Sequence, residues 1–207
     1  MTPDPLTYVR SECACFRKTA ERHGGLSNMS SGYPLRVNGT RILTTEALYQ
    51  ACKFPDNPDL QKCIIAERSP MSAKMIQKPF GNQIRPDWDD VRIAVMDWCL
   101  RLKLAQNPVS FGNTLRATGD LLIVEDSRKD AFWGAIPSAD DATLTGRNVL
   151  GALLTALRHH WIQNNCKVAM PKTPELPNFK LFGQPVSVAA DPEPGLSALD
   201  FFNAAME

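Results

Sequence analysis

The chain has little histidine and no excess of charge of either sign. Its 207 residues include three histidines, and 23 Lys and Arg side chains balance 22 Asp and Glu to give a net charge of +1. Proteins that bind long stretches of DNA or RNA are usually strongly basic, so the near-zero net charge argues against such binding. It leaves room for a nucleic-acid substrate held in a small local patch.

Long apolar runs and an export signal are also missing from the sequence. The longest apolar run, 149–157, is interrupted by Gly151 and Thr155. It falls well short of the roughly 20 residues that a membrane-spanning helix needs. The first ten residues contain acid and proline without an apolar core, unlike a signal peptide. We therefore expect a cytoplasmic protein with no membrane partner and with reduced cysteines.

The spacing of histidine and cysteine predicts neither a metal site nor a cofactor. Cys13 and Cys15 form a CxC pair, but no second pair follows at the spacing of zinc ligands. Cys52, Cys63 and Cys99 fall on apolar positions of helical patterns, which predicts small core residues. A chain of this length buries roughly 70% of its unfolded surface and needs no disulfide or metal for stability.

Hydrophobic periodicity predicts one α+β domain that is mostly helical, with a small β-hairpin or sheet. A hairpin over 34–44, turning at Asn38-Gly39, precedes a helix that Thr44 or Thr45 caps. The other predicted elements are helices starting at Asn57, Ser69 and Asn107, helices over 87–106 and 146–163, and a buried strand over 121–125.

Composition divides the chain into three parts. Residues 1–13 are predicted to be a loose lead-in, and residues 14–167 the catalytic domain. Residues 168–207 are rich in proline and phenylalanine. Proline alone favours disorder, but the aromatic residues, including Phe201 and Phe202, favour an arm that packs back on the core.

The predicted helix 45–54 separates polar from apolar side chains. At 100° per residue, one face carries Glu46, Tyr49, Gln50 and Lys53. Two interpretations fit this pattern. The face is either the solvated side of an amphipathic helix, or it directs a carboxylate and an amine into a cleft.

Two further segments have the composition of ligand-binding loops. Residues 24–28 form a tight polar turn before the hairpin, and residues 130–134 place an acid, two aromatic residues and a glycine after the predicted strand. Such a loop suits base stacking and close approach of a ligand. The alternatives are a simple turn and a tryptophan that anchors a loop to the core.

Taken in order along the chain, these segments and others form one extended pattern. They are GLSN at 25–28, TEALYQACKF at 45–54, SPMSAK at 69–74, RPDW at 85–88, VM at 95–96, Lys103, ATG at 117–119, VE at 124–125, DAFWG at 130–134 and GRNVLG at 146–151. The pattern, over about residues 14–160, resembles the NADAR family of YbiA-like N-glycosidases. That family often has Glu-His where this chain has Glu46-Ala47, so no role of that histidine carries over.

The resemblance implies a single NADAR domain and an N-glycosidase. It is greatest for the branch associated with DNA ADP-ribosyltransferase toxins. For that branch the implied reaction is hydrolysis of the bond between ADP-ribose and guanine in DNA, with single strands as the expected substrate. The implied role is that of an antitoxin paired with a DNA ADP-ribosyltransferase toxin. In another branch the implied substrate is a phosphoribosylated pyrimidine of riboflavin synthesis. A non-catalytic ADP-ribose or NAD sensor is the alternative from another class.

The chemistry of such a bond suggests three catalytic residues. The leaving nitrogen needs a proton, and positive charge on the sugar needs stabilisation. We expect Glu46 to be the acid or base at the leaving base, and Asp130 to hold the ribose hydroxyls or stabilise the cationic sugar. Lys53 either pairs with Glu46 and the phosphates or attacks the opened ribose to form a Schiff base. The resemblance favours the Schiff base.

Seven further residues are candidates for substrate binding. Trp88 and Trp133 are expected to sandwich the substrate rings. Asn148 is predicted to meet a pyrophosphate at a helix N-terminus or, alternatively, to cap that helix. The remaining candidates are Arg85 for phosphate, and Asn28, Ser27 and Gly134 for ribose or phosphate.

Overall fold

Strands from the start of the chain pair with strands from its second half. The structure, a computed structural model, describes residues 5–188. The strands concerned are β1 (Leu6–Val9), β2 (Cys13–Phe16), β5 (Leu122–Glu125), β6 (Ile136–Pro137) and β7 (Thr143–Gly146). β2 lies parallel to β5, while β7 lies between β1 and β6 in an antiparallel three-stranded sheet.

Residues 6–13 belong to the fold, so the prediction of a loose lead-in is wrong for the described residues. β1 pairs along its whole length with β7. Arg10, which follows it, forms ion pairs with Asp126 at 2.9 Å and Asp141 at 2.6 Å. Residues 1–4 of the predicted lead-in lie outside the described residues. The sequence pattern missed β1 because this edge strand is largely exposed.

The predicted hairpin is confirmed. It consists of β3 (Leu35–Val37) and β4 (Thr40–Ile42), which pair antiparallel. Asn38 and Gly39 have φ angles of 47° and 72°, as a type I′ turn requires. The Thr44 hydroxyl then accepts a hydrogen bond from the Ala47 N–H at 3.2 Å. This N-cap starts the helix that carries the polar face.

The helices follow the predicted caps with one shift. Asn57 and Ser69 each accept a hydrogen bond from the backbone three residues on. The helix predicted at Asn107 begins later, at Ser110, because Asn107 ends the preceding helix. The helices are α1 (Thr45–Ala51), α2 (Pro58–Ala66), α3 (Pro70–Ile76), α4 (Trp88–Gln106), α5 (Ser110–Arg116) and α6 (Val149–Gln163). Within residues 5–188, none of them has both the length and the hydropathy to cross a membrane.

Helix α1 lies inside the protein, and all seven of its residues are buried. Cys52, just after it, and Cys99 of α4 are core residues, as predicted, whereas Cys63 of α2 is exposed and that prediction is wrong. Even the polar side chains of α1 are shielded: Glu46 is 7% exposed and Gln50 is 3% exposed. The polar face of α1 is therefore not a solvated surface.

The chain after α6 packs against the core as far as the structure describes it. Phe179, Leu181 and Val186 are buried in the main hydrophobic cluster. The Gln61 amide donates to the Lys180 carbonyl at 3.0 Å and thereby ties this segment to α2. A short hairpin, β8 (Lys180–Leu181) and β9 (Gln184–Pro185), completes it. Residues 189–207, with Phe201 and Phe202, lie outside the described residues.

Candidate active site

A cleft of about 330 Å³ opens beside the polar face of α1. α4, the turn before β3 and the loop after β5 supply its other walls. Seven of the ten predicted site residues line it: Ser27, Asn28, Glu46, Lys53, Trp88, Asp130 and Trp133. The cleft therefore brings together side chains that are up to about a hundred residues apart in the sequence.

Glu46 and Gln50 are bonded to each other on the α1 face of the cleft. Gln50 Nε2 donates to Glu46 Oε1 at 2.8 Å, and the Glu46 backbone N–H donates to the Asn28 carbonyl at 3.0 Å. Gln50 Oε1 and Asn28 Oδ1 are buried without a partner in the described part of the chain. A buried acceptor left unpaired costs about 1–3 kcal/mol. Both oxygens are thus ready to accept hydrogen bonds from a ligand.

Lys53 has the environment of a reactive amine. Its Nζ lies 5.6 Å from the ring centroid of Trp88 and 5.9 Å from that of Tyr49. Burial lowers the pKa of Lys53, and the neighbouring Lys74 lowers it further, against an opposing effect of Glu46. No direct ion pair joins Lys53 to Glu46 among the described residues. A lower pKa raises the fraction of neutral amine, the form that attacks carbon.

Asp130 shapes the loop that brings it to the cleft. Its Oδ1 accepts hydrogen bonds from the backbone N–H groups of Phe132 and Trp133, each at 2.9 Å. Its own N–H donates to the Ser127 hydroxyl at 3.1 Å. These bonds form a compact turn after β5, as Asp side chains commonly do. The turn places Asp130 and Trp133 in the same wall of the cleft.

The two tryptophans form one aromatic wall through Tyr49. The ring centroid of Tyr49 lies 5.0 Å from that of Trp88 and 5.8 Å from that of Trp133, the latter pair edge to face. Such contacts hold large rings in fixed orientations. That Trp88 and Trp133 sandwich the rings of a substrate stays a prediction.

Arg85 lies outside the cleft lining and is already paired. Its guanidinium bonds both carboxylate oxygens of Asp87, at 2.6 and 2.8 Å, and also the Pro177 carbonyl at 2.8 Å. The side chain is 5% exposed. The structure therefore gives Arg85 the task of anchoring the segment after α6, not of contacting phosphate.

Gly134 also lies outside the lining, where it permits close packing. A Cβ atom at Gly134 would lie 2.6 Å from the Glu125 carbonyl oxygen. Only glycine lets the 130–134 loop approach β5 this closely. Its contribution to the cleft is indirect, in contrast to the predicted contact with ribose or phosphate.

Asn148 also lies outside the cleft lining and bonds the backbone of β5, which carries Glu125. Its φ is 48°, and its side chain makes no cap bond to α6. Instead, its Oδ1 accepts from the Glu125 N–H at 3.0 Å, and its Nδ2 donates to the Ile123 carbonyl at 2.9 Å. Neither of the two predicted roles, pyrophosphate contact or helix cap, fits this geometry. Asn148 joins the end of β5 to the start of α6.

Replacing Asn148 with glycine should lower the free energy of unfolding by about 2–4 kcal/mol, because two buried hydrogen bonds are lost. Glycine keeps the left-handed backbone at no steric cost, so the change isolates the side-chain bonds. Asn165→Gly is the matched control, with φ of 54° at an exposed position. It should change stability by less than about 0.5 kcal/mol. Urea denaturation measures both, and equal effects would contradict the assignment.

Glu125 is a cleft residue to which the sequence analysis assigned no role, although it lies in the VE segment of the motif pattern. It ends β5 and lines the cleft with Glu46 and Asp130. Burial, Asp130 and Glu46 raise the pKa of Glu125 to about 7, although Lys74 opposes the shift. At neutral pH this carboxyl group therefore carries a proton much of the time. Its position at the end of an apolar strand gave no sign in the sequence that the side chain lines the cleft.

A rim of cations borders the cleft. Arg17 and Lys74 are exposed side chains in its lining, and Arg92 lines it from α4. Arg92 stacks on Phe132, with its guanidinium carbon 3.9 Å from the ring centroid, and its Nε is buried without a partner among the described residues. Arginine in such a setting suits recognition of phosphate. Of these three cations, only Lys74 lies in a segment of the motif pattern, SPMSAK at 69–74.

Comparisons with known proteins agree with the motif pattern. The family model described as the NADAR domain matches residues 15–161. The N-glycosidase YbiA of Escherichia coli is 33% identical over 143 residues, which cover 69% of this chain and 84% of that protein. A riboflavin biosynthesis protein of Vibrio vulnificus is 37% identical over 157 residues. The match covers 75% of this chain but only 40% of that relative.

A solved structure shows the same fold. The NMR structure of E. coli YbiA superposes with a TM-score of 0.61 at 28% sequence identity, covering 76% of this chain and 93% of that one. The α+β architecture predicted from the sequence is confirmed. Both the motifs and the fold lead to one conclusion: the chain belongs to the NADAR domain family.

Proposed function

We propose that the protein is an N-glycosidase that hydrolyses the bond between a ribose and a base nitrogen. One observation carries this proposal. A carboxyl group with a pKa of about 7, a desolvated lysine and two further carboxylates line a single cleft. The names of relatives as N-glycosidases support it.

In the first step, the neutral Lys53 amine forms a bond to the anomeric carbon and the bond from that carbon to the base breaks. Glu125, and not Glu46 as expected from the sequence, gives its proton to the leaving nitrogen, because the raised pKa of about 7 keeps Glu125 protonated near neutral pH. The ribose ring then opens, and the proton lost from the attacking amine goes to the ring oxygen. The product is a protonated Schiff base between Lys53 and the opened sugar.

In the second step, water adds to the carbon of the Schiff base. Glu46, held by Gln50, takes a proton from that water as general base. The bond to Lys53 breaks, which frees the amine and the sugar aldehyde, and the sugar ring recloses. The hydroxyl proton of the adduct goes to the departing amine, and Glu46 passes the proton that it took from water to Glu125, so both carboxyl groups return to their starting forms. Asp130 holds the ribose hydroxyls and favours the positive charge that develops on the sugar.

The preferred substrate is ADP-ribosylated guanine in DNA, with single strands favoured. The rim of Arg17, Lys74 and Arg92 supports it, because these side chains suit binding of the two phosphates of ADP-ribose. The aromatic wall offers stacking for a base, worth roughly 1–3 kcal/mol per base. The resemblance to the branch associated with DNA ADP-ribosyltransferase toxins supports an antitoxin that works with such a toxin.

A phosphoribosylated pyrimidine of riboflavin synthesis is the second candidate. The name of the Vibrio relative favours it. The cleft volume of about 330 Å³ also suits a substrate with a single phosphate. Both candidates share the ribose–nitrogen bond, so the catalytic assignments are the same for either.

Glu46→Ala should lower kcat by about 10²–10⁴-fold on whichever substrate the wild type cleaves, because the base for water is lost. The wild type is incubated with guanine-ADP-ribosylated single-stranded DNA and, in parallel, with the ribosylated pyrimidine phosphate, and mass spectrometry follows base release. Asp90→Ala, an exposed carboxylate on α4, is the control and should keep full activity.

The assay separates the candidates directly. Cleavage of only the pyrimidine substrate would replace the preferred one. Binding of ADP-ribose without turnover of either substrate would indicate a sensor. Full activity of Glu46→Ala would contradict the role of that carboxylate.

A further inference from the structure

Lys103 is a buried lysine that has no carboxylate partner among residues 5–188. Its side chain is 0% exposed, and its Nζ donates to the carbonyls of Gly25 at 2.9 Å and Ser27 at 3.1 Å. The ring centroids of Phe111 and Tyr33 lie 4.2 and 4.6 Å from the same nitrogen. Two carbonyl oxygens and two aromatic faces thus form its surroundings.

Stability alone does not explain a lysine at this buried position. Burial lowers its pKa to about 7, and no carboxylate of residues 5–188 contributes to that shift. Apolar side chains of similar size commonly fill such sites at least as well. The hydrogen bonds to the turn are what an apolar replacement would lose.

The turn that Lys103 holds is part of the cleft. Ser27 and Asn28 line the cleft. The Asn28 carbonyl accepts a hydrogen bond from the backbone N–H of Glu46 at 3.0 Å. On its other side, the Asn28 amide donates to the Met96 sulfur at 3.0 Å. A shift of the turn would therefore move both Asn28 and the first turn of α1. Lys103 itself does not line the cleft.

We propose that Lys103 is a positioning residue, whose two hydrogen bonds to the 25–27 turn set the places of Asn28 and Glu46 in the cleft. Its effect on catalysis rests on the proposed function. Its effect on the geometry of the turn does not. Displacements of about 1 Å at a reacting group can lower rates by about a hundredfold, so a residue outside the cleft can control activity.

Lys103→Met tests the proposal, because it keeps an unbranched side chain of similar length and removes the donors. We expect kcat to fall about 10- to 100-fold and the amide NMR signals of Asn28 and Glu46 to shift. Lys103→Gln, which keeps an N–H donor, should restore part of both. Leu181→Ala, at a buried residue of β8 that does not line the cleft, is the control for lost stability. Assays are made at a temperature where thermal unfolding shows each variant to be folded.

Each outcome decides the proposal. Loss of activity in Lys103→Met, with activity kept in an equally destabilised Leu181→Ala, would support it. Unchanged Asn28 and Glu46 signals, or kcat within twofold of wild type, would overturn it. If neither Lys103 variant folds, Lys103 serves folding alone and the proposal fails. Should no substrate be cleaved by the wild type, the NMR shifts still test the geometry separately from the proposed function.

Discussion

Glu125→Gln should lower kcat by about 10²–10⁴-fold while leaving the protein folded. The amide has the shape of the carboxyl group but gives up no acidic proton, so the leaving base nitrogen stays unprotonated. Steady-state kinetics on the cleaved substrate measure the loss. A variant that keeps more than a tenth of the wild-type kcat would contradict the assignment of Glu125 as the acid.

The pH dependence gives this prediction a second measurement. Glu125 acts in its protonated form, and its pKa is raised to about 7. Wild-type kcat/KM should therefore decline as pH rises above about 7. Lys53 acts as the neutral amine, the form that its burial-lowered pKa favours, so activity should also fall as lower pH protonates this amine. In Glu125→Gln the residual kcat/KM should no longer decline as pH rises above about 7.

Stability should change in the opposite sense to activity. The folded-state pKa of Glu125 is raised from 4.5 to about 7, so its contribution to stability is present below about 4.5 and is lost as pH rises through 7. At pH 8 the folded protein holds a buried charge that glutamine lacks. Glu125→Gln should then be more stable than wild type by roughly 1–3 kcal/mol, with no such gain at pH 4. Thermal unfolding at the two pH values tests this.

Lys53→Met should lower kcat by about 10³-fold or more, because the nucleophile is removed. Borohydride added during turnover should reduce the Schiff base of the wild type to a stable amine. Peptide mass spectrometry should then find the sugar on Lys53. The adduct should be absent from Lys53→Met.

Lys74→Met is the matched control for charge in the same cleft. Lys74 is exposed at the rim, and its loss should raise KM while trapping at saturating substrate still marks Lys53. An active wild type that yields no adduct on Lys53 would favour direct hydrolysis. In that case Lys53 would act through its charge on the phosphates.

Local signals in the sequence predicted the fold well where they act over a few residues. The Asn38-Gly39 turn and the caps Thr44, Asn57 and Ser69 all lie where the sequence places them. β1 was missed because this short, exposed strand shows no alternation of polar and apolar residues. Its partner β7 also lies far along the chain. Tertiary pairing of this kind leaves no local pattern.

The site was predictable where residue type alone suggests chemistry. Glu46, Lys53 and Asp130 fall in the cleft, but Arg85 and Asn148 use the same kinds of atoms to bond the protein itself. An arginine that pairs with Asp87 cannot be told from one that binds phosphate by sequence position. Glu125 shows the converse, since its raised pKa depends on burial beside Asp130 and Glu46.

The parallel pairing of β2 with β5 has a consequence for how the protein responds to its ligand. Arg17 follows β2 and Glu125 ends β5, so the two cleft walls meet only when strands more than a hundred residues apart have paired. A partly unfolded chain would have no complete cleft. Ligand binding should therefore stabilise the whole domain against cooperative unfolding, by about 2.7 kcal/mol at a ligand concentration one hundred times Kd. The melting temperature alone can then serve to screen nucleotides and ribosylated bases.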